Sequence, residues 1–554
     1  MRYDIGSFHV IQEGTTPNLP DTSIPIVDLT PDGPTERTLT VDDLPDFAAE
    51  LAAYHAHFAP LFRRSEQRAW ADLYLRGLLV ADIPRKKVEA IALRLCGAGE
   101  GAGRTVRALQ QFVGEGGWDD DLILAAHRRL VEETLGDEGG VLILDGSDFP
   151  KQGTRSAGVA RQWCGHTGKK DNCQAGVFLG YASSVGYTLL DRRLYLPAGW
   201  FAEEARDRWE ACRIPDTTAF RTTHELAAEL VEKAVAAHDL RARWVVCDEG
   251  FGDDPAVLDR LAATGVWYLA EVPVDTQVWP LVAPDGVTAR AHPRSWVPPR
   301  TSSRKGPVPR RERLHPASPS KMRVDASARQ IPADRWQRYR ILEGSKGPLV
   351  ADFAAIRAVA PRQKLPGPEV WVLFRRTVSG AAEEPALKVS LSCAPPETPL
   401  ATVVGASGMR WPIEACFAEG KGEIGMHHDE LRFWRGWHHH MTMVILAHHF
   451  LVRLGQRLNQ REGDPEAGRP ALAGRRDHPR DAIIGRHRVR AGHSSPGAQR
   501  AEPCRGPRAP RDGSPPTHIR PSRRVAAAGL PAHAQGRCLS RASQAHPRPA
   551  EPAA

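Results

Sequence analysis

Residues 139–153 read GGVLILDGSDFPKQG, and the fold class turns on this run. Residues 141–144 are a short apolar stretch with two β-branched members, bounded by glycine, so they read as a buried strand that ends at Asp145. Downstream, AGVFLGYAS (175–183) and YTLLDRRLYL (187–196) flank SVG and read as a hairpin. A helical pattern over 222–238 leads to RWVVCD (243–248), a second short apolar strand closing on an acid. A helix over 254–264 and a strand VWYLAEV (266–272) follow. Three strands, a helix, a strand, a helix and a strand amount to a mixed α/β sheet.

Outward from this core, residues 41–135 carry apolar positions every three or four residues and form an all-α unit. Within it, Arg85, Lys86 and Lys87 follow Pro84 at a helix start, where a phosphate could meet cations and free amides; a solvated helix turn is the competing reading. Residues 273–400 hold loops and strands such as PEVWVLFRRTV and ALKVSLSCA, and 281–332 is rich in Pro, Arg and Ser and expected to be mobile. Helical periodicity returns over 409–425 and 437–458. From 459 to 554 there is no Phe, Trp or Tyr, every non-histidine cation is Arg, and a disordered tail is expected. That composition is also what GC-rich DNA yields in a wrong frame, so a frameshift near codon 459 is a further expectation.

With 554 residues, 41% hydrophobic and 25% charged, neither wholesale disorder nor a small disulfide-stapled module fits. No stretch approaches a membrane span, and MRYDIGSFHVIQEG lacks the pattern of an export signal, so a soluble, unexported protein is expected. Nine cysteines with no C-x-x-C read as free thiols rather than as disulfides or a zinc site. The net charge of +8 divides into +12 over 451–554 and −4 over 1–450. A basic balance suggests nucleic acid, but a tail that supplies all of it does not establish a binding domain.

Three carboxylates occupy places where side chains can converge at one edge of a sheet: Asp145, Asp248 and Glu414. The first two end strands and precede glycine-containing turns, DGSDFPKQG and DEGFGDD. The third lies in MRWPIEACFAEGKGEIG (409–425). At about 100° per residue, Arg410, Glu414 and Lys421 fall near 0°, 40° and 20°, on one polar strip beside an apolar strip of Ile413, Phe417 and Ile424. Asp148 competes with Asp145 for the first place, and Asp145 is preferred because it directly ends the strand. The histidines at 427, 428, 438, 439, 440, 448 and 449 read as surface or packing residues rather than as metal ligands. Trp163 and Trp434 could stack on a base, with a core role favoured for both.

Arg410, Glu414 and Lys421 match the last three positions of the Y-x2-R-x3-E-x6-K signature, and Ser407 stands at its Tyr. LDGSDFPKQG, GVARQWCG, NCQAGVFLGY, RLYLP and RFWRGWHHHMT belong to the same pattern. Over about 45–458 the chain resembles the bacterial insertion-sequence transposases of the DDE superfamily, in the cut-and-paste group with a β-rich insertion before its Glu. The resemblance implies a ribonuclease-H-like core (139–272 and 401–458) interrupted by a β-rich insertion (273–400) and preceded by a helical DNA-binding domain (41–135). It implies that Asp145, Asp248 and Glu414 hold two Mg²⁺ ions, with Mn²⁺ able to substitute. Arg410 and Lys421 would grip phosphates, and Lys151 and Arg161 are further candidate DNA contacts by charge and location. The implied partners are terminal inverted repeats and target DNA, bound by a homo-oligomer at the bacterial nucleoid in the cytoplasm, with no membrane role. A catalytically idle remnant, motivated by Ser407 and the tail, and another ribonuclease-H-like nuclease are the alternatives.

Overall fold

The computed structural model describes residues 26–28, 44–282, 289–297, 302–303, 306–307, 311–341, 349–378 and 386–460. The expected disordered tail, and parts of the expected mobile stretch 281–332, lie outside the described residues. After a short strand β1 (Ile26–Asp28), five helices occupy the expected all-α stretch: α1 (Leu44–Phe58), α2 (Ser65–Leu79), α3 (Val88–Cys96), α4 (Ala102–Glu115) and α5 (Asp120–Leu135). Asp119 caps α5 by accepting the N–H groups of Asp121 and Leu122 at 3.0 and 3.2 Å.

The core follows as β2 (Val141–Pro150), β3 (Ala160–Cys164), β4 (Lys169–Ser183), β5 (Gly186–Leu194), α6 (Arg206–Ala211), α7 (Thr223–Ala236), β6 (Trp244–Cys247), α8 (Glu249–Gly252), α9 (Pro255–Ala263) and β7 (Trp267–Val272). The expected hairpin is present, with Ser183 opposite Gly186. Beyond it come β8 (Gln277–Pro280), five two-residue strands β9–β13 (Ser295–Trp296, Ser302–Ser303, Gly306–Pro307, Arg313–Leu314, Met322–Arg323), α10 (Val324–Arg329), β14 (Gln337–Ile341), β15 (Leu349–Arg362), β16 (Leu365–Thr377) and β17 (Leu387–Ser392). The chain then returns to helix in α11 (Leu400–Gly408), α12 (Pro412–Glu419), one π-helical turn (Gly420–Ile424) and α13 (Trp434–Gln460).

One sheet runs β1–β14–β15–β16–β17–β7–β6–β2–β4–β3, with β5 also on β4. Strands β2, β6 and β7 are mutually parallel, whereas β4 and β17 run antiparallel to their neighbours. The strands of the 337–392 stretch therefore extend the same sheet across β17. Val141, Ile143, Trp244, Val246 and Leu269 pack on one face with the helical unit and α11–α13. On the other face, Leu142, Leu144, Val245, Cys247, Tyr268 and Ala270 pack with α7 and α9. A strand covered on both faces needs no polar alternation, which is why these runs are uniformly apolar.

Two expectations change. Strand β2 does not end at Asp145 but continues to Pro150, because β4 goes on pairing with it as far as Pro150 opposite Cys173. The helix expected over 409–425 is broken. Residues 409–411 form a turn between α11 and α12, and the π turn follows at Gly420. The helical angles assigned to Lys421 and Ile424 consequently do not hold, although Ile413, Phe417 and Ile424 are all buried as expected.

Helix α13 is enclosed by α1, α2, α4, α5 and β5, so His438, His439, His440, His448 and His449 are all buried whatever side of the helix they occupy. The surface alternative for these five is thus corrected to packing. His440 Nδ1 shares a hydrogen bond with the Tyr74 hydroxyl at 2.8 Å, and His449 with Thr134 Oγ1 at 3.0 Å. His439 bonds the carbonyls of Val113 and Trp118 and stacks on the Trp118 ring at 3.6 Å. Burial lowers the pKa of His127 and His439 to about 4 and of His438 to about 3, and also lowers those of His440 and His449.

These imidazoles take up protons near pH 6.5 when unfolded but only far lower when folded, so the unfolded chain binds more protons across that window. Stability is complete above about pH 7 and declines as the pH falls below about 6.5, by roughly 1.4 kcal/mol per pH unit for each group. Thermal denaturation between pH 7.5 and 5 should show a steep fall in Tm with uptake of more than one proton on unfolding; a flat profile would mean that the imidazoles are solvated.

Candidate active site

The parallel pairing of β2 with β6 ends at Leu144 opposite Cys247, and that of β6 with β7 ends at Cys247 opposite Ala270. The next residue on each strand is an acid: Asp145, Asp248 and Glu271. Three carboxylates therefore occupy one register row, just past the point where the parallel pairing of three neighbouring strands stops. Glu271 was not singled out from the sequence. Its signal was there, because WYLAE places an acid directly after the apolar run just as VLILD and WVVCD do.

Helix α8 begins at Asp248 and packs tightly on β7, where a Cβ at Gly252 would lie 1.9 Å from the Glu271 carbonyl oxygen. Only glycine permits that approach. Glu414 comes from the first turn of α12, and Arg410, just before that helix, gathers the acids. Its guanidinium contacts the Glu414 carboxylate and lies 3.9 Å from both Asp145 Oδ2 and Glu271 Oε1. Lys388 adds a contact to Glu271 at 3.4 Å. Lys421 reaches the same cleft from the π turn, 3.4 Å from the Asp148 carbonyl and over the Phe149 ring. The cleft, about 730 Å³, is lined by six acids (Asp145, Asp148, Asp248, Glu249, Glu271, Glu414) and by Lys388, Arg410 and Lys421.

Burial, and then the neighbouring Asp248 carboxylate, raise the pKa of Asp145 to about 7. Burial also raises that of Asp248, with Arg410 opposing. Asp248 Oδ1 is buried without a hydrogen-bond donor. An excess of crowded carboxylates with an orphaned oxygen suits a hard divalent cation, which binds oxygen donors and restores the ionised forms. Among the described residues, no three His, Cys, Asp or Glu side chains already stand as a ligand set. Asp145 and Asp248 thus fit a cation together, and Glu414 would join them only after leaving Arg410.

Other expected contacts are placed elsewhere. Lys151 Nζ, expected as a DNA contact, is 2.8 Å from both the carbonyl and Oδ1 of buried Asp429 in an internal ion pair. Lys86 is likewise engaged within the fold. Its ammonium is buried on the Leu78 carbonyl, and its N–H donates to His428 Nδ1 at 3.1 Å, so neither is free for a phosphate. Arg85 and Lys87 turn to Glu430. Asp148 Oδ2 accepts the Gly165 N–H at 2.6 Å. Arg161 is exposed on β3, and Trp163 on the same strand is 63% exposed, which overturns its core reading, whereas Trp434 packs against the core.

Removing one member of a buried ion pair leaves the other uncompensated. Lys151→Met should therefore lower unfolding stability by about 3 kcal/mol in urea titrations and leave DNA affinity unchanged; the reverse pattern would return Lys151 to the DNA surface.

Among the described residues, no helix is long and apolar enough to cross a membrane. No curated protein matches the chain. The family model for DDE superfamily endonucleases matches residues 57–348, a span that includes Asp145, Asp248 and Glu271 but stops before Arg410 and Glu414. That match covers more than half of the sequence, and the chain belongs to the family of DDE superfamily endonucleases.

Proposed function

We propose that the chain is a DNA transposase that cuts at the terminal inverted repeats of an insertion sequence and joins the freed ends to target DNA. The observation carrying this reading is the register row that sets Asp145 beside Asp248, with Arg410 linking Glu414 to it. The strand order β5–β4–β2–β6–β7, antiparallel strands followed by parallel ones, supports a ribonuclease-H-like core over 139–272 and 401–458, with 273–400 inserted and 41–135 as the DNA-binding unit.

In this reading Asp145, Asp248 and Glu414 hold two Mg²⁺ ions, or Mn²⁺ in their place, and the bound metal supplies activation of the attacking oxygen and charge stabilisation of the leaving one. Water first cleaves a phosphodiester at the element end. The freed 3′ hydroxyl then attacks a second phosphodiester, and no residue of the chain becomes covalently attached. Lys421 and Arg410 bind the flanking phosphates. A phosphate competes with Glu414 for the Arg410 guanidinium, so DNA entry would release the carboxylate for its own role. On α4, Arg104, Arg107, Gln110 and Gln111 are exposed, and the two arginines have no ion pair among the described residues. That face suits a duplex. Two such chains on two DNA ends make the working homo-oligomer.

Ser407 motivates a second reading. Its hydroxyl donates to the Val404 carbonyl at 2.7 Å, within its own helix, where the signature has a tyrosine that could reach DNA. An idle DNA-binding remnant, or a nuclease that hydrolyses without joining, follows if that contact is indispensable.

DNA carrying the ends that flank the gene, incubated with the full chain and Mg²⁺, should give both nicked and joined products. Asp145→Ala, Asp248→Ala and Glu414→Ala should each lower cleavage about a thousand-fold or more with gel-shift affinity retained. Full activity in any one of them would remove that residue from the site. Hydrolysis without joining would establish the nuclease reading, and binding without cleavage the remnant.

A further inference from the structure

We propose that the hairpin of β3 and β4 is a single-strand subsite beside the acidic cleft, in which Trp163 stacks on an unpaired base while Arg161 and Lys170 hold its phosphates. The inference rests on the DNA-processing reading above and adds to it where, and in what form, the strand lies. Trp163 is 63% exposed, whereas Trp118, Trp200, Trp279 and Trp437 are buried. Its indole has no ring or hydrogen-bond partner among the described residues. Arg161, Lys169 and Lys170 are exposed and have no ion pair there either. The contrast with Lys151 and Lys86 is direct, because those cations are already consumed by the fold.

Register arranges the group. Trp163 lies opposite Lys170 and Arg161 opposite Asn172, so the indole and two cations share one face of the hairpin, while Lys169, opposite Cys164, belongs to the other. Strand β3 pairs only with β4 among the described residues, which leaves that flank of the sheet open. The connecting turn is fixed to the catalytic strand: Gly165 donates to Asp148, and Gly165 and His166 line the cleft itself. Trp163 stands two residues back from Gly165, about 7 Å along the strand.

Charge explains why such a flank is useful. A cleft with six acids repels a phosphodiester, so cations beside it must bring the strand in. An indole adds affinity only where a base face is accessible, which a stacked duplex interior denies and an unpaired strand offers.

The test uses the full chain without added metal, so that nothing is cleaved. The probes are a blunt duplex and the same duplex with a short single-stranded extension carrying 2-aminopurine. Wild type should bind the extended probe more tightly and quench its fluorescence. Trp163→Ala should lose the quenching and bind the extended probe about ten-fold more weakly, with the blunt duplex unaffected. Trp163→Phe should restore both signals, and Arg161→Ala with Lys170→Ala should weaken the extended probe in a salt-dependent way. Equal quenching by wild type and Trp163→Ala, equal loss on both probes, or an effect confined to oligomeric state would overturn the subsite. Cleavage assays separate this outcome from the parent reading: a chain that cuts and joins without quenching loses only the hairpin, and one that quenches without cutting loses only the transposase.

Discussion

The parallel pairing of β2 with β6 and of β6 with β7 governs the site. All three strands are covered on both faces, so their apolar runs have to stay inside, and the first residue beyond each run is the first that can carry charge. A slip of one residue would draw Asp145 or Asp248 into the interior, at the cost of burying a carboxylate without a partner. The hydrophobic effect thus aligns three acids that lie far apart in the chain. Burial, and then repulsion from neighbouring carboxylates, keeps Asp145 and Asp248 reluctant to ionise, and Arg410 is the cation that links the cluster.

Much of this was legible from residue order alone. VLILD and WVVCD announce buried apolar strand segments followed by acids, and the 222–238 and 254–264 helices lie where their periodicity puts them. Glu271 is equally visible in VWYLAEV, where an acid follows the apolar run as in the other two strands. The continuation of β2 past Asp145 was hidden by Gly146 and Ser147, which look like a turn but sit in strand because β4 supplies a partner. The break in the 409–425 helix follows from Gly420 and Gly422, whose weak helical preference lets a wider turn form.

Side-chain partners were the part least accessible. Nothing local marks Lys151 as an internal cation, since Asp429 lies 278 residues away. Nor does local pattern tell that α13 would be wrapped by helices and a strand, turning a row of consecutive histidines into interior groups. Trp163 fails in the opposite sense. The prior for an aromatic in a strand is burial, yet β3 is the sheet's last strand and its outer face meets solvent. Distinguishing cations that serve the fold from cations that face outward needs tertiary contacts, and Arg161 and Lys86 divide on that ground alone.

Strand β17 lies antiparallel on β7 with Ser390 opposite Glu271. Strand β17 therefore covers the edge that β7 would otherwise expose. An open β7 would present unsatisfied amides and carbonyls to any passing chain, an invitation to aggregation. A chain spliced from 272 to 400 would have to seal that seam anew.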